Sequence, residues 1–501
     1  MRSHLSGLSG KRYDVAVIGG GINGTATAAR LSRRGYDVVL IDQGDFGSGS
    51  SSRSSRHLHC GLATLSYAKD AKGLGKKLEY VVGARQMLRF RAEALRDFPE
   101  KIKPREFFIP VFAEDKLPNW QFDMAFGLLS LLSGFKAELG YRRHDPKRRS
   151  VPILRHFRPG LTSATSFVDM IYDVPERLCV DLALDAESAG ADIRNYTRLV
   201  AGQPTGGGWQ LTLADSFSPE EIVEVSARMV LNLTGVWSDG VNARLASPKG
   251  VTVTPNKGCH IAVRLPDEFA DRGIMRRNAV GHVFMCSPWR GLHVIGPTET
   301  PYTGSLDSVA PNDDDVESLL HEANSLMPGL KLSKRDIVFK WAGLRPASFE
   351  AGNPRGAWTR EFHDLSPRPE APALGLSWGR ISHHADTADR LVGMVVRKLG
   401  PAPRKGDLRA LRKKSEPEDL TNIIATEYPM TVADVLFRRT GHGWDSDLGL
   451  SRAQEVAAAL AARRGRASAA ALVTEYTDFL RDQMGFGVYP NNTTANSAVL
   501  N

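Results

Sequence analysis

The chain has 501 residues, 42% of them apolar and 24% charged, which excludes an intrinsically disordered chain and leaves room for two or three domains. Its formal net charge of +9 suits anionic small molecules, anionic lipid or nucleic acid equally, so charge alone does not choose among them. Cys60, Cys179, Cys259 and Cys286 lie far apart, without CxxC or Cys/His metal spacing, which predicts a reduced, cytoplasmic protein with no bound metal.

The opening "MRSHLSGLSGKR" lacks the apolar core of a signal peptide. Residues 13–18 then read as a buried strand, followed by Gly19, Gly21 and Gly24 in G-x-G-x-x-G, an alanine-rich helix to about Arg34 and a second strand, "DVVLID". Gly19 permits the tight turn, Gly21 lets the backbone approach a pyrophosphate, and Gly24 lets helix and strand pack closely. The helix N-terminus faces the phosphates, and Asp42 stands where a carboxylate accepts hydrogen bonds from a ribose diol. Strand, glycines, helix and acid together predict dinucleotide binding. Which dinucleotide they leave open.

Three later segments favour a flavin. "DFGSGSSSRSSRHLH", 45–59, reads as a loop whose hydroxyls and amides, Ser51 and Ser52 among them, suit a pyrophosphate and a flavin ring, although its composition alone fits a solvated linker. "MVLNLTGVWSD", 229–239, is an apolar strand ending at Thr234 and Gly235. "ALGLSWGRISHHADTADRLVGMVVRKL", 373–399, is strand, turn at Gly379, then a helix whose N-terminus suits the charge that develops on a reduced flavin. Between them, "FDMAFGLLSLLSGF", 122–135, is too short to span a bilayer. Trp120, Phe122, Phe126, Leu129 and Leu132, followed by Arg142, Arg143, Lys147, Arg148 and Arg149, fit a surface that inserts into an anionic membrane and fit equally a core helix with a basic loop behind it. The basic run lacks interleaved aromatics, so nucleic acid is not expected.

These segments, with "HLHCGL", "RLCVDLALDAESAGADI", "LNLTGVW", "NKGCHIAV", "HVIGPTE", "WAGLRP", "WTREF" and "SWGR" in the same order, resemble the FAD-dependent glycerol-3-phosphate dehydrogenases. The resemblance implies an α/β fold: a Rossmann-like FAD-binding domain (12–74, 156–244 and 340–400), a β-rich substrate domain of short strands and turns (75–155 and 245–339) and a small C-terminal helical domain (416–490). A basic, Pro-containing linker before residue 415 marks the last boundary. It also implies oxidation of glycerol 3-phosphate or a related polyol phosphate, electrons passed to quinone, a peripheral place on the inner face of the cytoplasmic membrane, and a homodimer as one option for an oligomeric state the sequence leaves open. His260 matches the family's histidine and is the candidate base; on the residues alone, a histidine merely hydrogen-bonded at a strand start is the commoner reading. Arg345 and Arg360 match substrate-anion positions, and Arg380 stands for the family's lysine. His59 is assigned to cofactor contact. His383 and His384 replace other family residues, and Arg335 and Arg355 are read as solvated.

Where these enzymes read H-G-G-L-R-Y, this chain reads His59, Cys60, Gly61, Leu62, Ala63, Thr64, so one phosphate-binding arginine is replaced by alanine. The change implies a substrate pocket remodelled for a larger or differently held polyol phosphate. Two other readings share the architecture: an oxidase of amines, amino acids or hydroxy acids, and a catalytically silent flavin-binding protein.

Overall fold

The computed structural model describes residues 4–115, 118–148, 151–277, 283–406, 419–464 and 467–487; Arg149 and the end of the basic linker, 407–415, lie outside them. Tyr13–Ile18 is buried along its whole length, as a central parallel strand covered on both faces must be. It pairs in parallel with Ile222–Asn232 on one side and Val38–Ile41 on the other. Ala373–Ser377 and Asp192–Arg194 continue the parallel sheet outward, Glu361–Asp364 closes one edge antiparallel, and a hairpin of Thr197–Thr205 and Gly208–Asp215 pairs with the first half of Ile222–Asn232. Val15 and Val17 point to one face, where Ala28, Ala29, Val180, Ala183, Leu391 and Val392 bring the helices Ile22–Arg33, Pro175–Ser188 and His384–Leu399 against the sheet. Ala16 and Ile18 point to the other, against Trp209, Leu211 and Leu213 of the hairpin.

The second sheet has ten strands, and Val253–Val263 is its organising member. Ile337–Ser348 runs antiparallel along it, placing His260 opposite Trp341 and Asn256 opposite Arg345. Each expected cofactor segment feeds the first sheet and also this one: 12–74 through His57–Leu58, 156–244 through Leu161–Tyr172, and 340–400 through most of Ile337–Ser348. One face of the second sheet is covered by Val316, Leu319 and Leu320 of the helix Asp313–Leu326. On the other, Phe107, Phe167 and Trp341 share a core with Leu88, Leu129, Trp444 and Leu480.

The strands and turns expected over 75–155 give way to two helices, Leu74–Asp97 and Trp120–Leu132, around the strand Ile102–Phe112. Tyr80, Val81 and Val82 followed by Gly83 suggest a strand locally, but tertiary burial of Ala84, Met87, Leu88, Arg91 and Ala94 on one side decides for helix. After residue 418 the helices Leu420–Thr426, Leu450–Arg464 and Ala469–Met484 and a π-helical turn, Asp434–Thr440, build the expected terminal unit. Asp419 caps the first of them through the Asn422 amide.

Candidate active site

The carboxyl ends of the parallel strands make the crevice in which open α/β sheets bind ligands. Gly19 turns there with φ +106°, and a Cβ on it would lie 2.6 Å from the Leu233 carbonyl oxygen. A Cβ on Gly24 would lie 1.8 Å from the Gly19 carbonyl oxygen, so helix and strand meet only because that position is glycine. Gly21 is the helix N-cap; a Cβ there would meet only Ser51 Oγ, at 3.3 Å. Ser51 Oγ accepts from the Ile22 amide at 3.1 Å, folding the serine-rich loop over the helix start, while Ser52 Oγ donates to the Ser48 and Gly49 carbonyls at 3.1 and 3.0 Å. Asp42 accepts from the Gly20 and Gly44 amides at 2.6 and 2.8 Å, and desolvation pushes its carboxyl up to about 6 against the pull of those amides.

Thr234 Oγ1 donates to Asn232 Oδ1 at 2.6 Å, and Gly235 turns the chain away from the strand end. Gly379 closes the ring: Asn23 Nδ2 donates to its carbonyl at 2.9 Å, which leaves Asn23 Oδ1 buried without a partner. A side-chain-free cradle at a helix N-terminus, an acid beyond it and an unpartnered amide oxygen fit a dinucleotide's pyrophosphate and ribose. FAD fits this donor set.

The loop that follows reaches the second sheet. Ser50 Oγ donates to the Leu344 carbonyl at 2.5 Å, and a Cβ on Gly343 would lie 2.5 Å from Arg53 Cβ, so the two sheets meet at Ile337–Ser348. On that contact face sits His260, stacked on Trp341 with centroids 4.9 Å apart and planes 13° from parallel. Its Nε2 is 2.9 Å from Ser55 Oγ, and its Nδ1 and Trp341 Nε1 are both buried without hydrogen-bond partners. Burial, reinforced by the Arg345 and Arg56 cations, holds the imidazole well below its ordinary titration range, so it is neutral at pH 7.

Arg345 lies on the same face. Its Nη1 donates to Asn256 Oδ1 at 2.9 Å and its Nη2 to the Thr298 carbonyl at 3.2 Å, and Trp358 flanks it at 5.6 Å. No carboxylate pairs with it among the described residues, and desolvation lowers it to about 10, still a cation at pH 7. Gly258 makes room for it, since a Cβ there would lie 2.2 Å from Nη2. Arg380 is exposed beside Trp378, 5.3 Å from the ring centroid, also without a carboxylate partner. Arg360 differs: it donates to Asp386 at 2.6 Å and Thr387 Oγ1 at 2.8 Å, an internal ion pair that Arg390 shares.

His383 turns toward Met87 Sδ, at 3.0 Å, and His384 toward the Ile381 carbonyl, at 2.8 Å; burial lowers them to about 3 and about 4. Arg335 and Arg355 are exposed. Ala63 sits in the first turn of the helix Leu62–Asp70. His59 stands 3.4 Å from Asp169, beside His57. Ser55, Asn256, Thr298 and Trp341 escape a reading of the sequence. One signal for Asn256 is there, in N-x-G-x-H, whose alternation puts Asn256, Gly258 and His260 on one face of a strand.

The family model described as FAD dependent oxidoreductase matches residues 14–364. The chain is 30% identical over 401 residues to a glycerol-3-phosphate dehydrogenase of Synechocystis, covering 77% of this chain and 70% of that protein. It is 30% identical over 383 residues to the D-erythritol 1-phosphate dehydrogenase of Brucella abortus, covering 75% and 72%. Among solved structures, the glycerol-3-phosphate dehydrogenase from Bacillus halodurans, complexed with FAD, superposes over 96% of each chain with a TM-score of 0.72 at 19% identity, a likeness of fold.

Proposed function

The chain belongs to the FAD-dependent oxidoreductases, and within them to the FAD-dependent glycerol-3-phosphate dehydrogenase family; from that membership we propose that it oxidises a secondary hydroxyl of glycerol 3-phosphate or a related polyol phosphate, such as a tetritol phosphate, to the ketone and passes the electrons to a quinone. The observation that carries the reading is the placement of a neutral imidazole, His260, and a carboxylate-free guanidinium, Arg345, on the paired strands Val253–Val263 and Ile337–Ser348, the second of which the serine-rich loop reaches at Leu344. Gly19, Gly21, Gly24, Asp42, Ser51, Thr234, Gly235 and Gly379 would hold FAD, which when bound would supply the two-electron acceptor that oxidation of the hydroxyl-bearing carbon requires. Arg345, with Arg380 as second cation, holds the phosphate by charge-assisted hydrogen bonds. His260 accepts the hydroxyl proton through Nε2, the substrate hydroxyl taking the place of Ser55 Oγ. Arg360, already committed to Asp386 and Thr387, is left out of the phosphate's cations.

Anaerobic mixing with glycerol 3-phosphate and with erythritol phosphates tests the reading: at least one should bleach the oxidised flavin band. Bleaching by an amino acid or a 2-hydroxy acid, and by no polyol phosphate, would replace the phosphate with a carboxylate at Arg345. Arg345→Lys keeps the charge and loses the fork; a lost charged hydrogen bond costs about 1.5–3 kcal/mol, a roughly ten- to hundred-fold fall in kcat/KM. The bound flavin and its spectrum should be unchanged, and loss of FAD in this variant would move Arg345 from the substrate to the cofactor.

A quinone acceptor calls for a membrane face, and none of the described helices is long and apolar enough to cross a membrane. Phe126 and Leu129 are core residues, so insertion cannot rest on them. Leu74, Leu78 and Val82 of one helix, with Trp120, Met124 and Leu131 of the next and Phe135 beyond it, are instead all exposed, and Arg142, Arg143, Lys147 and Arg148 follow. Apolar anchors backed by cations suit an anionic bilayer. The protein should co-sediment with phosphatidylglycerol vesicles and be released by salt, and Leu78→Glu with Met124→Glu should weaken binding by at least roughly ten-fold, since each buried leucine-sized side chain is worth about 1.5–3 kcal/mol. Equal binding by that double variant would place the contact elsewhere.

A further inference from the structure

The second sheet carries a side-chain cluster, His57, His59 and Asp169, to which the proposed reaction gives neither the substrate's proton nor its phosphate. His57 opens the short strand His57–Leu58 and His59 follows directly after it, while Asp169 belongs to the antiparallel partner Leu161–Tyr172, in which His57 opposes Ile171 and Leu58 opposes Met170. One potential ligand atom from each of the three lies within 4.8 Å of the others, the one such grouping among the described residues. The rings of His57 and His59 stack 5.1 Å apart, 17° from parallel.

His57 and Asp169 are each held by a neighbour outside the cluster. His57 Nε2 is 2.6 Å from Ser287 Oγ, and its Nδ1 is buried with no hydrogen-bond partner. A histidine that donates one ring N–H to a neighbour has its ring fixed and its other nitrogen available as a lone pair. Arg91 Nη1 holds Asp169 Oδ1 at 3.4 Å, which leaves Oδ2 for the cluster. His59 Nδ1 stands 3.4 Å from that Oδ2, beyond the ordinary N–H···O range. Two ligands each about 2.1 Å from one tetrahedral cation stand about 3.4 Å apart. Asp169 is buried, whereas the His59 side chain keeps 32% of its surface in solvent, so the cluster has a closed floor and an open door.

We propose that His57, His59 and Asp169 bind one divalent transition-metal ion, with zinc the cation that two imidazoles and a carboxylate suit. Hard cations such as magnesium and calcium prefer an all-oxygen shell, which this site does not offer. Three protein ligands leave one position for water, reached from the exposed side of His59. The bound ion ties His57–Leu58 to Leu161–Tyr172, two residues beyond Ser55, the hydroxyl that meets His260.

The flavin-loaded protein, freed of metal with a chelator and dialysed, is titrated with zinc in a calorimeter. The expected result is one saturable equivalent per chain, with X-ray absorption showing nitrogen and oxygen neighbours near 2.0–2.2 Å. His57→Phe keeps an aromatic ring against Phe107, which lies 5.0 Å away, and should weaken binding about a hundred-fold or more, as should His59→Gln. Asp169→Asn should do the same; because it also loosens Arg91, the two histidine variants decide if it fails to fold. His442→Gln, which removes an imidazole paired with Asp445 in the C-terminal unit, should bind zinc as the wild type does. No saturable equivalent in the wild type, or an unchanged isotherm in His57→Phe, overturns the site.

Discussion

Replacing His260 with asparagine is expected to lower kcat by roughly 10²–10⁴-fold, the usual contribution of a positioned general base, with the flavin still bound. Asparagine keeps a polar side chain beside Ser55 and Trp341 but cannot accept the substrate proton. The pH profile provides a second, independent readout. An imidazole must be neutral to act as a base, and burial beside the Arg345 and Arg56 cations holds His260 well below its ordinary range. The acid limb of kcat/KM should therefore fall below the pH at which a free histidine titrates, with no loss of rate across the neutral range, and it should vanish in His260→Asn. An acid limb centred on the free-histidine value, or unchanged kcat in the variant, would assign the proton to another group.

The cofactor half of this site is legible from the sequence because its determinants are local. Gly19, Gly21, Gly24 and Asp42 fall within 24 consecutive residues, and strand, turn and helix follow from residue type and spacing alone. The substrate half depends on antiparallel pairing between strands about 80 residues apart, which sets Asn256 opposite Arg345 and His260 opposite Trp341. Nothing local in "NKGCHIAV" or "WAGLRP" states that register, so Asn256, Thr298 and Ser55 as supporting groups come only from the fold. The same limit explains Arg360, whose partner Asp386 belongs to a helix 26 residues on. It explains His57 too: an H-x-H that begins in a two-residue strand gains meaning only when a third candidate ligand, Asp169, arrives from another strand.

The helix Leu74–Asp97 shows a different failure. Its apolar face is interrupted by Leu74, Leu78 and Val82, which are exposed, so its periodicity is not that of a simple amphipathic helix. That irregularity is what a helix with an apolar face in the core and further apolar residues exposed, the proposed lipid contact, looks like. Reading such a stretch for one buried face alone misses its helix.

Asp45→Asn should undock or unfold the C-terminal helices at a cost of about 3–5 kcal/mol, the range for removing one partner of a buried ion pair. Asp45, three residues beyond the ribose candidate Asp42, is fully buried and accepts from Arg438 Nε at 2.6 Å, from Arg439 Nη2 and Asn195 Nδ2 at 2.9 Å each, and closely from Arg439 Nη1. The asparagine keeps the shape but leaves Arg438 with Asp434, itself held by Tyr196, as its remaining carboxylate, and Arg439 with only the backbone carbonyls of Asp434 and Glu427. The two guanidiniums hold the Asp45 carboxyl below its ordinary value, so its stabilisation is complete above the unfolded carboxylate range and is lost as pH falls through the folded value. Wild-type protein should thus shed the terminal unit on acidification, and Asp45→Asn should already lack that unit's protection at pH 7. Limited proteolysis across the pH range reads both, with cleavage expected within the terminal helices Leu420–Thr426, Leu450–Arg464 and Ala469–Met484 once they undock. Because Asp45 adjoins the cofactor loop, the variant should also bind FAD more weakly without changing the substrate KM of the fraction that remains loaded. Proteolytic protection equal to wild type at pH 7 would show that Glu427, which accepts from Arg177 at 2.6 and 3.0 Å, docks the terminal unit without Asp45.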